Sequence, residues 1–158
     1  MKNGLACAPG RNRLEDPMAN YYGVGRSNTF LVKDVAALKK TLEPGEFEVV
    51  EYPHRDPNAV MLVVNDGNGN GGWCQWIYPA DGDEPEELSV PDVIAEHLQD
   101  GQVAVFQHSG AEAKRYVIGH SIAVHSSGQQ VTVDINDIYS LAGAQFGIDS
   151  DQINWAAY

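Results

Sequence analysis

Apolar and polar residues alternate most clearly in the second half of the chain. From Tyr116 to Val124 every second residue is apolar or histidine, which predicts a half-buried strand with Ile118, His120 and Ile122 on the same face. Comparable runs predict further strands at 27–33, 47–52, 59–64, 73–78, 103–106 and 131–133. The pattern is therefore typical of a chain built mostly from strands.

Three segments have apolar residues at helical spacing instead. The first is 35–42, which follows Asp34, a typical N-cap, and ends before a Pro-Gly pair. The second covers 93–98 and follows the sequence Ser-Val-Pro-Asp, which predicts a capping box. The third, 134–147, begins with an aspartate that predicts the N-cap and ends with a glycine that predicts the C-terminus.

Two polar segments connect these elements. The Asn/Gly run at 65–72 predicts a hairpin connection because both residue types tolerate positive φ, and 81–87 predicts a solvated acidic loop. The helices are too few, and the strands too close in sequence, for a parallel doubly wound sheet. We predict one α+β domain over 26–158, with a mainly antiparallel sheet and about three short helices, after a flexible leader over 1–25.

Composition narrows the class of protein. With 158 residues and 43% apolar residues the chain can bury the core of one globular domain. It has only two cysteines, which predicts a reducing, cytoplasmic setting, and Cys74 lies between tryptophans, where we expect it to be buried. The sequence contains no apolar run of membrane-spanning length, so we expect no membrane association.

Charge is distributed unevenly along the chain. The formal net charge is −12, of which residues 1–55 contribute +1 and residues 56–158 contribute −13. Proteins that bind nucleic acid directly usually present a basic patch to the phosphates. The sequence therefore argues against direct nucleic-acid binding.

Motifs for catalysis and metal binding are incomplete. The segment that begins at Asp66 matches the first half of a calcium loop, but its twelfth position is Ile77 where a bidentate carboxylate is needed. His120 and His125 are five positions apart on one strand. Because this interval is odd, their side chains point to opposite faces and cannot share a metal ion there. The sequence also lacks a Gly-x-Ser-x-Gly motif and a phosphate-binding loop. We therefore predict no catalytic residue, cofactor or metal, and a protein that is not an enzyme.

The densest charge lies between residues 81 and 100, which hold eight acids and no base. Two of them, Asp92 and Glu96, are four residues apart on the predicted second helix, so like charges share one face at a cost in stability. Such a surface can imitate the phosphate backbone and occupy a basic groove, or it can be a solvated face that aids solubility or reflects adaptation to high salt. The eight acids are Asp81, Asp83, Glu84, Glu86, Glu87, Asp92, Glu96 and Asp100.

Two segments resemble a known group of proteins. The run Arg-Ser-Asn-Thr-Phe-Leu-Val-Lys-Asp at 26–34 and the run Val-Asp-Ile-Asn-Asp-Ile-Tyr at 133–139 are similar to those of small acidic proteins from phages and plasmids. The resemblance covers about residues 20–158 and transfers no active-site residue. It implies an anti-defence role, such as blocking restriction or CRISPR effectors in the bacterial cytoplasm.

We therefore expect a non-enzymatic acidic protein that docks on a basic, nucleic-acid-binding partner, as a monomer or homodimer. The expected partner-binding residues are the eight acids together with Trp73 and Trp76. One alternative is an interaction module anchored by Trp73, Trp76 and Tyr78, whose binding would be insensitive to salt. Another is a small hydrolase that uses His108 or His120.

Overall fold

The main sheet is antiparallel throughout, as the strand pattern predicts. The computed structural model describes residues 21–67, 69–112 and 116–156. Within these residues the sheet has the order β3-β4-β1-β7-β8-β9, and the short β2 also pairs with β4. Its strands are β1 (Tyr21–Ser27), β2 (Phe30–Leu31), β3 (Phe47–Glu51), β4 (Ala59–Val64), β7 (Val103–Glu112), β8 (Tyr116–His125) and β9 (Gln130–Asp134); a separate hairpin contains β5 (Cys74–Ile77) and β6 (Glu86–Ser89).

Three α-helices complete the described fold, so the predicted α+β class is confirmed. They are α1 (Val35–Leu42), α2 (Val90–His97) and α3 (Asp137–Phe146), the last followed by a 3-10 turn at Ser150–Gln152. The predicted cap of α1 is also confirmed, because Oδ1 of Asp34 accepts the backbone N–H groups of Ala36 and Ala37 at 2.8 and 3.2 Å.

The hydrophobic core lies between one face of the sheet and helices α1 and α2. Alternate residues of β4, β7 and β8 point into it, as the period of two requires. Phe106 is fully buried there, and its ring contacts those of Phe30 and Trp73. The largest contributions are from Phe30, Leu38, Leu42, Leu62, Trp73, Ile94, Leu98 and Phe106. We call the opposite face of β1, β7, β8 and β9 the outer face.

Two predicted boundaries and one predicted cap were wrong. The leader was placed too far along the chain, because residues 21–25 belong to β1 inside the sheet; residues 1–20 lie outside the described residues. Ser89 is the N-cap of α2, but its side chain makes no capping hydrogen bond, and Pro91 at the second helical position has no N–H to donate. Helix α3 begins three residues after Asp134, which remains in the ladder opposite His120.

The Asn/Gly segment 65–72 is a connection but not a hairpin, which corrects the prediction. The strand before it, β4, pairs with β1, β2 and β3, whereas β5 after it pairs with β6. The segment folds onto β1, where the N–H of Gly23 donates to the carbonyl of Gly69 at 2.6 Å. Close approach of the two backbones requires glycine, because a Cβ on Gly71 would lie 2.5 Å from the carbonyl carbon of Gly23.

Candidate functional site

The β5–β6 hairpin presents one face to the protein and the other to solvent. Gln75 and Leu88 form a cross-strand pair on the inner face, and Oε1 of Gln75 accepts the backbone N–H of Glu46 at 2.7 Å. Trp76 and Glu87 form the next pair, which by the alternation of side chains lies on the outer side of the hairpin. Trp76 is 59% exposed. The hairpin therefore holds an indole ring and a carboxylate next to each other in solvent.

A groove of about 490 Å³ runs beside this hairpin. Its lining includes the carboxylates of Glu46 and Asp66 and the rings of Trp76 and Tyr78, the last 77% exposed. The carboxylate of Asp66 already accepts hydrogen bonds from the backbone N–H groups of Asn70 and Gly71, so part of its hydrogen-bonding capacity is used. Aromatic faces and carboxylates together favour cationic groups, above all the guanidinium of arginine.

The eight predicted acids are all exposed, and they occupy three consecutive parts of the fold. Asp81, Asp83 and Glu84 lie in the β5–β6 connection; Glu86 and Glu87 lie on β6 rather than in a loop; Asp92, Glu96 and Asp100 lie on α2 and in the turn after it. Since β6 continues directly into α2, the set follows one continuous stretch of the chain.

These acidic residues make few hydrogen bonds with the rest of the protein. Oδ1 of Asp92 accepts from Nε2 of Gln130 at 3.3 Å, and Nζ of Lys33 donates to the backbone carbonyl of Glu96 at 3.0 Å. In the described part of the chain the one ion pair joins Lys39 on α1 to Glu51 on β3, away from the stretch. The acidic stretch therefore carries its negative charge without a partner cation among the described residues.

Two predictions about the hairpin were wrong. Trp73 is 2% exposed, stacks on Phe47 at a ring distance of 6.2 Å, and donates from Nε1 to the carbonyl of Gln107 at 3.1 Å. It belongs to the core and cannot anchor a partner. Cys74 is exposed, because it shares the outer side of the hairpin with Trp76.

Sequence reasoning missed a row of polar side chains on the core face of the sheet. His108 and His120 are directly opposed on β7 and β8, with ring centroids 5.0 Å apart, and Asp134 lies opposite His120 on β9. The Tyr21 hydroxyl lies 2.8 Å from Nε2 of His108. A hairpin turn assigned near residue 114 would have predicted the histidine pair from the strand register alone.

The contacts of these side chains are typical of a structural role. His108 is 9% exposed, and burial lowers the pKa of its imidazole, with the neighbouring His120 acting in the same direction. A backbone hydrogen bond with Asn70 and the charge of Asp66 oppose that shift. Burial also raises the pKa of the Tyr21 hydroxyl, which stays protonated beside the ring. Within the described residues, no group of three or more His, Cys, Asp or Glu side chains is arranged to hold a metal ion.

Because the pKa of His108 is lower in the folded protein than its ordinary 6.5, the unfolded chain binds more protons. The free energy of unfolding is therefore expected to fall as the pH drops below about 6.5. Urea unfolding between about pH 7.5 and pH 5 measures this slope, before most carboxylates titrate. His108→Gln should flatten this slope; a slope equal to that of the wild type in this variant would contradict the assignment.

None of the helices in the described part of the chain has the length and apolar composition needed to cross a membrane. We found no match to this chain among protein-family models, curated proteins or solved structures.

Proposed function

We propose that this protein is a non-enzymatic binding protein that docks, through the outer side of its β5–β6 hairpin, on a basic surface of a nucleic-acid-binding protein. The observation that carries the proposal is the pairing of Trp76 with Glu87 on a solvent-facing hairpin, beside carboxylates that lack a partner cation among the described residues. The hairpin carries acidic residues together with Trp76, which the sequence predicts as partner-binding residues.

The chemistry of the two features is complementary. Exposed carboxylates attract a basic groove over about a Debye length, which accelerates association and weakens with salt. Exposed aromatic side chains slow dissociation, because they bury a large apolar area and stack on arginine. A surface that only improved solubility would need the carboxylates but not the exposed rings of Trp76 and Tyr78.

The resemblance to small acidic phage and plasmid proteins supports one class of partner. A restriction or CRISPR nuclease holds its substrate in a basic groove, so an acidic hairpin in that groove excludes phosphates. We therefore propose that the protein inhibits such a nuclease by competing with its nucleic acid.

Reversal of two hairpin charges tests the proposal. Glu84→Lys/Glu87→Lys is expected to weaken capture of the partner at least about tenfold, because each reversal replaces an attraction by a repulsion. Duplex DNA should compete with the wild-type protein for the same partner, and capture should decline between about 50 and 500 mM salt. Pull-downs followed by DNA-binding and cleavage assays on the captured protein measure all three effects.

Glu48→Lys/Asp151→Lys is the matched control, since it changes the net charge equally at two exposed carboxylates on β3 and in the 3-10 turn. Equal loss in both variants would indicate a general charge effect and not a docking face. Capture that resists salt and DNA but is lost on Trp76→Ala would favour the aromatic module instead.

A further inference from the structure

The outer face of the main sheet has exposed apolar side chains on β1 and β9 on either side of polar ones on β7 and β8, and the described residues leave it uncovered. Tyr22 and Val24 on β1 and Val131 and Val133 on β9 are each more than half exposed, and the strand register places them on the same face. Val103 and Val117 extend this patch along β7 and β8. Monomeric proteins rarely expose contiguous apolar patches beyond a few hundred Å².

Helix α3 presents a second apolar surface. Ile138, Leu141 and Phe146 are each more than half exposed, and Gly143 is the only buried residue of the helix. The segment after α3 packs on the helix, since Trp155 stacks on Tyr139 at a ring distance of 4.6 Å and the N–H of Ala156 donates to the Tyr139 hydroxyl. Ile148 and Trp155 add to the exposed apolar area.

The connection between β9 and α3 keeps this helix at the edge of its own sheet. Ile135 packs over Gly119 on the outer face, where a Cβ on Gly119 would lie 2.9 Å from Cγ2 of Ile135. Oδ2 of Asp137, the first residue of α3, accepts the N–H of Asp134 in β9 at 2.8 Å. Because only Asn136 separates Ile135 from the helix, α3 begins directly beside β9, the strand at the end of the sheet.

We propose that two copies of the chain form a dimer in which α3 of each copy lies on the outer face of the other. An apolar helix and an uncovered apolar sheet face are the two layers of a helix-on-sheet packing, and each copy supplies both. The outer face is concave, with a depression of about 450 Å³ whose lining includes Val24 and Val133. The same lining includes the exposed Arg26 and the polar Gln107, Ser109 and Ser121, so the guanidinium of Arg26 loses solvent on docking, a cost that the contacts of the exposed apolar residues have to exceed.

The available area is sufficient for a stable dimer. At ~150–250 Å² for an aromatic side chain and less for an aliphatic one, these exposed residues offer on the order of 1,000 Å² per copy. A standard interface buries about 800 Å² per partner. The same patch on both copies gives a closed two-fold dimer and no open fibre.

The dimer leaves the acidic hairpin free. Trp73, at the start of the hairpin, packs on the core face of the sheet, opposite the outer face. The two copies each carry a formal charge of −12, so salt screens their repulsion and is expected to strengthen dimerisation. Binding of a basic partner is expected to weaken with salt, whereas dimerisation is expected to strengthen. Experiments can therefore contradict one of the two proposals without contradicting the other.

Sedimentation equilibrium of the purified full chain tests the dimer. We expect a mass of about 34 kDa, twice the 17.2 kDa of one chain, at tens of micromolar protein. Leu141→Asp on α3 and Val24→Asp on the outer face are each expected to raise the dissociation constant at least about tenfold. Ala37→Asp, exposed on α1, carries the same added charge and should leave the mass unchanged.

Mixing the two interface variants gives the decisive result. In a mixed dimer, the Val24→Asp chain supplies an intact helix α3 and the Leu141→Asp chain supplies an intact outer face. One of the two helix-on-sheet contacts is therefore restored. We expect dimers in the mixture at concentrations where neither variant dimerises alone. If circular dichroism shows that either variant is unfolded, Leu141→Gln and Val24→Thr are used in place of the two aspartate variants. A monomeric wild type, a dimer that survives Leu141→Asp, or a mixture without rescue would each overturn the proposal.

Discussion

Replacing Trp73 by alanine is expected to lower the free energy of unfolding by about 3–5 kcal/mol, the largest effect that the structure predicts for a single side chain. The indole is 2% exposed and contacts the rings of Phe47 and Phe106. Its removal leaves a cavity under the hairpin and also deprives the carbonyl of Gln107 of its Nε1–H donor. Urea unfolding followed by circular dichroism measures the loss without depending on tryptophan fluorescence.

Trp76→Ala is the matched control, because it deletes the same side chain three residues later on the same hairpin. Trp76 is 59% exposed, so the expected change in unfolding free energy is within about 0.5 kcal/mol. The two variants separate stability from function, since Trp76→Ala should weaken capture of a basic partner in a fully folded protein. A destabilisation by Trp76→Ala comparable to that by Trp73→Ala would contradict the assignment of the two hairpin sides.

Gly71→Ala is the second change with a large expected effect, about 2–4 kcal/mol. Gly71 has φ +67°, and an added Cβ would lie 2.5 Å from the backbone of Gly23 and Val24. The obstacle is backbone in the middle of the sheet, so it cannot be relieved by turning a side chain. Segment 65–72 should then lift from β1 and expose His108 to water.

Gly82→Ala isolates the part of this cost that comes from the backbone conformation. Gly82 has φ +84° in the β5–β6 connection, and an added Cβ would meet nothing within 4 Å. Its alanine variant should cost only about 1–2 kcal/mol. Thermal or urea unfolding of the two variants compares them directly, and equal losses would mean that the close contact with β1 does not form.

The dimer and the acidic hairpin use opposite sides of the main sheet. The outer face and α3 hold most of the exposed apolar side chains, together with the charged Arg26 and Asp137, whereas the hairpin and α2 carry exposed carboxylates. A two-fold dimer of this kind presents two acidic hairpins at once. If the partner also has two basic sites, such a dimer gains affinity through effective concentration without any new contact.

Prediction from the sequence succeeded where a single segment determines the outcome. The cap at Asp34, the end of α3 at Gly147 and the common face of Tyr116 to Val124 all follow from local spacing, and the structure confirms them. The predictions were wrong where contacts with a distant segment determine the local structure. The contact of Gln130 with Asp92 takes the place of the expected capping box, and residues 21–25 of the expected leader belong to β1, which pairs with β7.

Periodicity and composition are local properties, so they were enough to predict the α+β class, the negative charge and the acids between residues 81 and 100. They could not predict which of the neighbouring Trp73 and Trp76 is buried, that His108 meets His120, or that α3 and the outer face have no cover among the described residues. Those outcomes depend on strand register. It is set by pairing between residues far apart in the chain, and a shift of one residue exchanges the two faces.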